Sequence, residues 1–118
     1  MALSPPYFAR GGSVNAVAEF RAFVDAVGLP AVELLAELTS LHNSGDISDI
    51  PTSDKNATNV RGLCCRHVGG WAIFYATETM LCRITIIHAA SLNPHSFTAV
   101  ESEAANRLRI LQLNGTIK

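Results

Sequence analysis

The chain has 118 residues, 48% of them hydrophobic, enough to build one core and too few to suggest a second domain. A formal net charge of -1 and a pI of about 6.4 give the chain no general attraction for polyanions, so a nucleic-acid contact would require a local basic patch. Cys64, Cys65 and Cys82 have no CxxC spacing and fall inside expected strands, which reads as small buried hydrophobes kept reduced rather than as metal ligands.

The first residues, Met1 to Arg10, carry Pro5 and Pro6 where a secretion signal would need an apolar run. The most apolar stretch, Trp71 to Ala90, contains Glu78 and Arg83 and suits two strands better than a membrane-spanning helix. A cytoplasmic location without membrane contact is the expectation. Residues 1–12 end in Gly11-Gly12 and read as an irregular tail or a short leading strand.

From Ser13, a capping residue, Val14, Val17, Phe20, Val24 and Val27 recur at helical spacing, with Glu19, Arg21 and Asp25 largely turned away from that stripe. Gly28 stops this helix, and Pro30 opens a second one with an apolar face of Val32, Leu34, Leu35, Leu38 and Leu41. The short break predicts a helical hairpin covering a sheet. Asn43 to Asn59, rich in Ser, Asp, Asn and Thr, reads as a long polar loop.

Three strands are expected next, at Val60 to Val68, Trp71 to Thr77 and Met80 to His88, with Gly69-Gly70 as a tight hairpin turn and Glu78-Thr79 as the second. On this register Val68 opposes Trp71, and Thr77 opposes Met80. One face then collects Cys64, Val68, Trp71, Ile73, Tyr75, Cys82, Ile84 and Ile86, with Arg66 as its single charged member, and is the face for the helices to cover. The other carries Arg61, Leu63, Cys65, His67, Ala72, Phe74, Leu81, Arg83, Thr85 and Ile87, a mixture that suits a surface open to a ligand or a protein. Arg61, His67 and Arg83 could hold phosphate oxygens there, or be ordinary solvated residues of a half-exposed sheet. His88 at a strand end and His95 in the following loop are acid/base candidates or cappers. A third helix from about Thr98 to Leu113 aligns Val100, Ala104, Leu108 and Leu111 on one side, and residues 114–118 read as a frayed tail. The whole is an α+β domain: an N-terminal helical hairpin packed on an antiparallel β-meander sheet, followed by a C-terminal helix.

The order of these elements, the strand Gly69-Gly70-Trp71-Ala72-Ile73-Phe74-Tyr75, the closing run Ile84-Thr85-Ile86-Ile87-His88 and the segment Ser102 to Ile110 resemble the RelE/ParE superfamily of type II toxins. The resemblance covers Val14 to Ile110 in order of elements. It implies a single domain over residues 1–118 that binds an antitoxin protein and acts either on mRNA at the ribosome, as an endoribonuclease, or on DNA gyrase. For the ribonuclease branch it points to Arg61, His67, Arg83 and His95 as the catalytic set, with no cofactor and no metal. The chain departs from the family's pattern at three places. Ala72 stands where the motif arginine belongs, Ala89 to Asn93 replaces the basic run after the last strand, and Phe97 replaces a late tyrosine.

Three functional readings follow: a toxin-like protein of either branch, a catalytically silent protein-interaction or regulatory module of the same fold, and an unrelated α+β domain that binds a small molecule under the polar loop, which a deep apolar pocket holding His88 or His95 would favour.

Overall fold

The computed structural model describes residues 10–44, 50–78 and 83–117. In chain order these form β1 (Arg10–Gly11), α1 (Val14–Val27), α2 (Leu29–Ser44), α3 (Thr52–Asn56), β2 (Leu63–Val68), β3 (Trp71–Glu78), β4 (Arg83–Ser91) and α4 (Phe97–Leu113). Met80, Leu81 and Cys82 of the expected third strand, and most of the expected N-terminal tail, lie outside the described residues.

Ser13 caps α1 as expected, its hydroxyl accepting from the Ala16 N–H at 3.1 Å, and Gly28 ends the helix at φ 78° with its N–H donated to the Val24 carbonyl. The buried face differs from the expected valine stripe. Ala16, Phe20 and Phe23 are buried, whereas Val14 and Val17 are exposed. The two phenyl rings account for the difference: they meet edge to face at 5.3 Å and bury far more apolar area than the valines would. Pro30 lies in the first turn of α2, whose Ala31, Leu34 and Leu38 are buried while Val32 faces solvent.

The β2–β3 hairpin has the expected register, Val68 opposite Trp71 and Leu63 opposite Ala76, around Gly69 and Gly70 at φ 56° and 80°. The next pairing differs. β3 runs through Glu78, Thr77 lies opposite Ile84, and Glu78 lies opposite Arg83, so Glu78 is a paired strand residue and not part of the turn expected at Glu78-Thr79. This slip is even-numbered, so the faces of Ile84 and Ile86 are unchanged. A bulge between Phe74 and Tyr75 then makes Ile87 an extra residue of β4 and sets His88 opposite Phe74.

The sheet has the order β1-β4-β3-β2 and is mixed: the meander is antiparallel, and the part of the expected tail at Arg10–Gly11 adds a parallel strand against Thr85 and Ile86.

Both faces of the sheet are covered, which corrects the expectation of an open one. On the first face Phe23, Leu34 and Leu38 pack with Cys64, Ile73, Tyr75 and Ile84. On the second, Val100, Ala104, Leu108 and Leu111 of α4 pack with Leu63, Cys65, Ala72, Phe74 and Ile87. The centre of that second face is dominated by apolar side chains, and its ends carry the arginines that made it look amphipathic. Leaving Phe74 alone uncovered would cost about 2 kcal/mol, so an amphipathic α4 is the natural cover. Ile117 joins the same cluster and its N–H reaches the Leu111 carbonyl at 3.1 Å, so the expected C-terminal tail is packed there.

The polar loop is also more ordered than its composition suggests. Within it α3 places Asp54, 3% exposed, against β2 and β3. Arg66 binds both Asp54 oxygens through Nε at 2.8 Å and Glu37 of α2 through Nη2 at 2.6 Å, and the buried Tyr75 hydroxyl donates to Asp54 at 2.5 Å. Cys64 and Cys65 are buried free thiols, and burial is the first cause that pushes them up from 9.0 to about 11 and about 12. Among the described residues no helix is long and apolar enough to cross a membrane.

Candidate functional site

The four residues expected to form a site fall at two ends of the sheet. Arg61 is exposed in the turn before β2, and the register sets it at the Glu78–Arg83 end of the meander, not inside a strand as expected. Arg83 is tied to the buried Glu78 through Nη2 at 2.8 Å and Nε at 3.2 Å. Arg10 reaches the same carboxylate at 2.9 Å. Arg61 lines a hollow of about 300 Å³ with Lys55, Asn59 and Thr77.

His67 and His95 lie toward the other end. His67 is exposed opposite Ala72 and stacks on Phe97 at 5.3 Å. His95 follows β4 in an exposed loop. Six residues of β3 separate the His67 level from the Arg83 level, roughly 20 Å of extended strand. One phosphate cannot be gripped across that span. The position of the expected motif arginine, Ala72, is buried beneath α4 together with Phe74.

The densest polar cluster lies elsewhere, around the edge of β4. β1 ends where the Gly12 N–H donates to the Ile86 carbonyl at 2.8 Å, and beyond that point β4 has no neighbouring strand on this side among the described residues. Glu19 of α1 and Arg107 of α4 reach around the edge and meet in a two-armed ion pair, Nη1 to Oε1 and Nη2 to Oε2, both at 2.7 Å. Arg107 Nη1 also donates to the Ile87 carbonyl at 3.2 Å, and Glu19 Oε1 accepts from the Ala89 N–H at 3.3 Å. His88 Nδ1 lies 2.8 Å from Glu19 Oε1. Burial alone would raise the Glu19 carboxyl, but the bonds from His88 and Arg107 outweigh it and hold the group down at about 2, from 4.5.

Beside this cluster, Trp71 and His88 to Ser91 border a hollow of about 330 Å³ that also takes in Asn93 and His95. Beyond the bulge, His88 and His95 border this one cavity, and Arg61, His67 and Arg83 do not line it. Periodicity had set Glu19 aside as an outward polar residue, and Arg107 lies 88 positions away, so no local pattern links the pair. The one signal available was His88 itself, a polar residue ending the apolar run Ile84 to Ile87. Among the described residues no group of three or more His, Cys, Asp or Glu side chains is arranged to hold a metal ion.

Comparisons with protein-family models, with curated proteins and with solved structures each find no match for this chain.

Proposed function

We propose that this chain is a toxin-like component of a type II toxin–antitoxin pair that acts in the cytoplasm by binding a protein target, of which DNA gyrase is the example the resemblance implies, and not by cleaving RNA. The observation that carries the non-nucleolytic part is the separation of the four candidate residues. A ribonuclease centre needs a base, an acid and cations within reach of one phosphate. Here Arg83 is committed to Glu78, His67 is stacked on Phe97, and Arg61 stands at the opposite end of the sheet from His95. The toxin-like part is supported by the order of elements, helical hairpin, meander and closing helix, and by the Gly69-Gly70 turn leading into Trp71 to Tyr75.

Expression in bacteria with and without the adjacent small gene, followed by ribosome-dependent mRNA cleavage and gyrase supercoiling assays on the purified chain, tests the reading. The expected result is growth arrest relieved by the neighbouring product, inhibited gyrase and intact mRNA. Normal growth in both settings with no complex formed would overturn the toxin reading. Cleavage abolished by Arg61→Ala or Arg83→Ala would overturn the non-nucleolytic one.

A further inference from the structure

We propose that the hollow beside the β4 bulge is a binding site for a planar heteroaromatic ring carrying adjacent hydrogen-bond donors and acceptors, the chemistry of a nucleobase. The proposal is independent of the partner-binding reading above and rests on how Trp71, His88, Asn93 and His95 are held.

Trp71 supplies the apolar wall. It is half-buried, and Phe23 packs against its ring at 5.6 Å, so the indole is fixed from behind while part of it borders the hollow. Ala22, Ala89 and Ala90 line the same space with nothing larger than a methyl group, which leaves room for a flat ring against the indole.

The polar groups around it divide into committed and uncommitted ones. Ser91 is committed: its hydroxyl donates to the Asn93 carbonyl at 3.0 Å and accepts from the Asn93 N–H at 3.2 Å. Glu19 is committed to Arg107, His88 and Ala89. With that carboxylate as its acceptor, His88 donates from Nδ1, and in the neutral ring Nε2 is then an acceptor. His88 is 8% exposed, and among the described residues nothing is bonded to its Nε2. Asn93 and His95 border the hollow, and among the described residues neither the carboxamide nor the imidazole has a hydrogen-bond partner.

A side-chain amide offers a donor and an acceptor side by side, which matches the edge of a base, and imidazole and indole rings are surfaces on which bases stack. A hollow with an aromatic wall, small aliphatic residues and a few convergent polar groups is the usual form of a small-ligand site. A bare phosphate would find no arginine or lysine among the lining residues, and the Glu19 carboxylate would repel it. The ring could belong to a free nucleoside or to a single-stranded oligonucleotide, which the test separates.

Trp71 is the sole tryptophan of the chain, so its emission reports directly on the hollow. Adenosine, guanosine, cytidine and uridine, and then short single-stranded oligonucleotides, are titrated against the purified full chain by fluorescence and by calorimetry. At least one nucleoside is expected to change Trp71 emission saturably, and His95→Ala and Asn93→Ala, both exposed positions, are each expected to weaken it about tenfold with an unchanged melting temperature. Tighter binding of the oligonucleotide identifies a nucleic acid strand as the source, and equal binding identifies the free nucleoside. No saturable change up to about 10 mM, or binding that both variants leave intact, overturns the proposal.

Discussion

Glu19 and Arg107 stand on helices that cover opposite faces of the sheet, yet they form a two-armed ion pair with both contacts at 2.7 Å. They meet because β1 stops at Gly11 and β4 continues past it to Ser91. An uncovered strand presents backbone groups that need partners and that can pair with another chain. The guanidinium takes the Ile87 carbonyl and the carboxylate takes the Ala89 N–H, so two side chains stand where the next strand would lie.

This arrangement makes stability depend on acid pH in a defined direction. The folded state holds Glu19 at about 2, below its ordinary 4.5, so the carboxylate's contribution is complete above about 4.5 and is lost as pH falls toward 2. With solvent screening included, Glu19→Gln is expected to be less stable than the wild type by about 2 kcal/mol at pH 7. Urea unfolding across this range is the measurement. The difference between the two proteins should close between pH 4.5 and 2, and a difference that stays constant would show that the pair contributes nothing through charge.

Glu78 should be far more sensitive to substitution than either cation it binds. Its side chain is 2% exposed, whereas those of Arg10 and Arg83 are each 33% exposed. Glu78→Ala leaves two guanidinium groups facing a vacated buried position and is expected to cost about 3 kcal/mol, while Arg83→Ala, with Arg10 still in place, is expected to cost about 1 kcal/mol. Equal losses in chemical denaturation would argue against this division. On the non-nucleolytic reading, Arg83→Ala should also leave target and antitoxin binding unchanged, which pull-down of the purified variant checks.

The Tyr75 hydroxyl predicts the alkaline limb of the stability curve. Burial first, then its bond to Asp54, pushes the phenol far above its usual 10. The protonated form is therefore favoured in the folded state, its stabilisation is complete below pH 10 and it is lost as pH rises beyond. Tyr75→Phe removes the 2.5 Å bond and is expected to cost about 1–2 kcal/mol at neutral pH. The gap between the two proteins should then narrow above pH 10, and melting curves from pH 7 to 11 would show a parallel pair of profiles if Tyr75 played no part.

Much of the fold is legible in the sequence where the signal is local. Gly69-Gly70 announces the β2–β3 register correctly because both positions need positive φ. Val100, Ala104, Leu108 and Leu111 announce the buried face of α4 by spacing alone. The covered second face was missed because Arg61, His67 and Arg83 share its parity. Those three flank the apolar centre at Leu63, Cys65, Ala72 and Phe74 and do not interrupt it. The bulge leaves no mark, since Ile84 to His88 reads the same with or without an extra residue. Arg61, His67 and Arg83 share a face, which the alternation reveals, and His95 joins them only through the resemblance, but a site also requires a shared level along the strands, and that emerges only once the pairings are known. The Glu19–Arg107 pair and the setting of His88 depend on where β1 stops, a tertiary fact with no local pattern.

The hairpin turn offers a test in which two neighbouring glycines should behave differently. Gly69 and Gly70 have φ of 56° and 80°, so a side chain at either position takes a left-handed conformation that costs about 1 kcal/mol. At Gly70 a Cβ would meet nothing within 4 Å, and backbone strain is the whole penalty. At Gly69 it would lie 2.9 Å from Val27 Cγ1 and 3.1 Å from Cγ2, so the end of α1 must give way as well. Gly69→Ala is therefore expected to be less stable than Gly70→Ala by about 1 kcal/mol. The added variant Val27→Ala identifies the cause. By removing both γ-methyls it should bring the penalty of Gly69→Ala down to that of Gly70→Ala, and a penalty unchanged in that background would mean that α1 does not press on the turn.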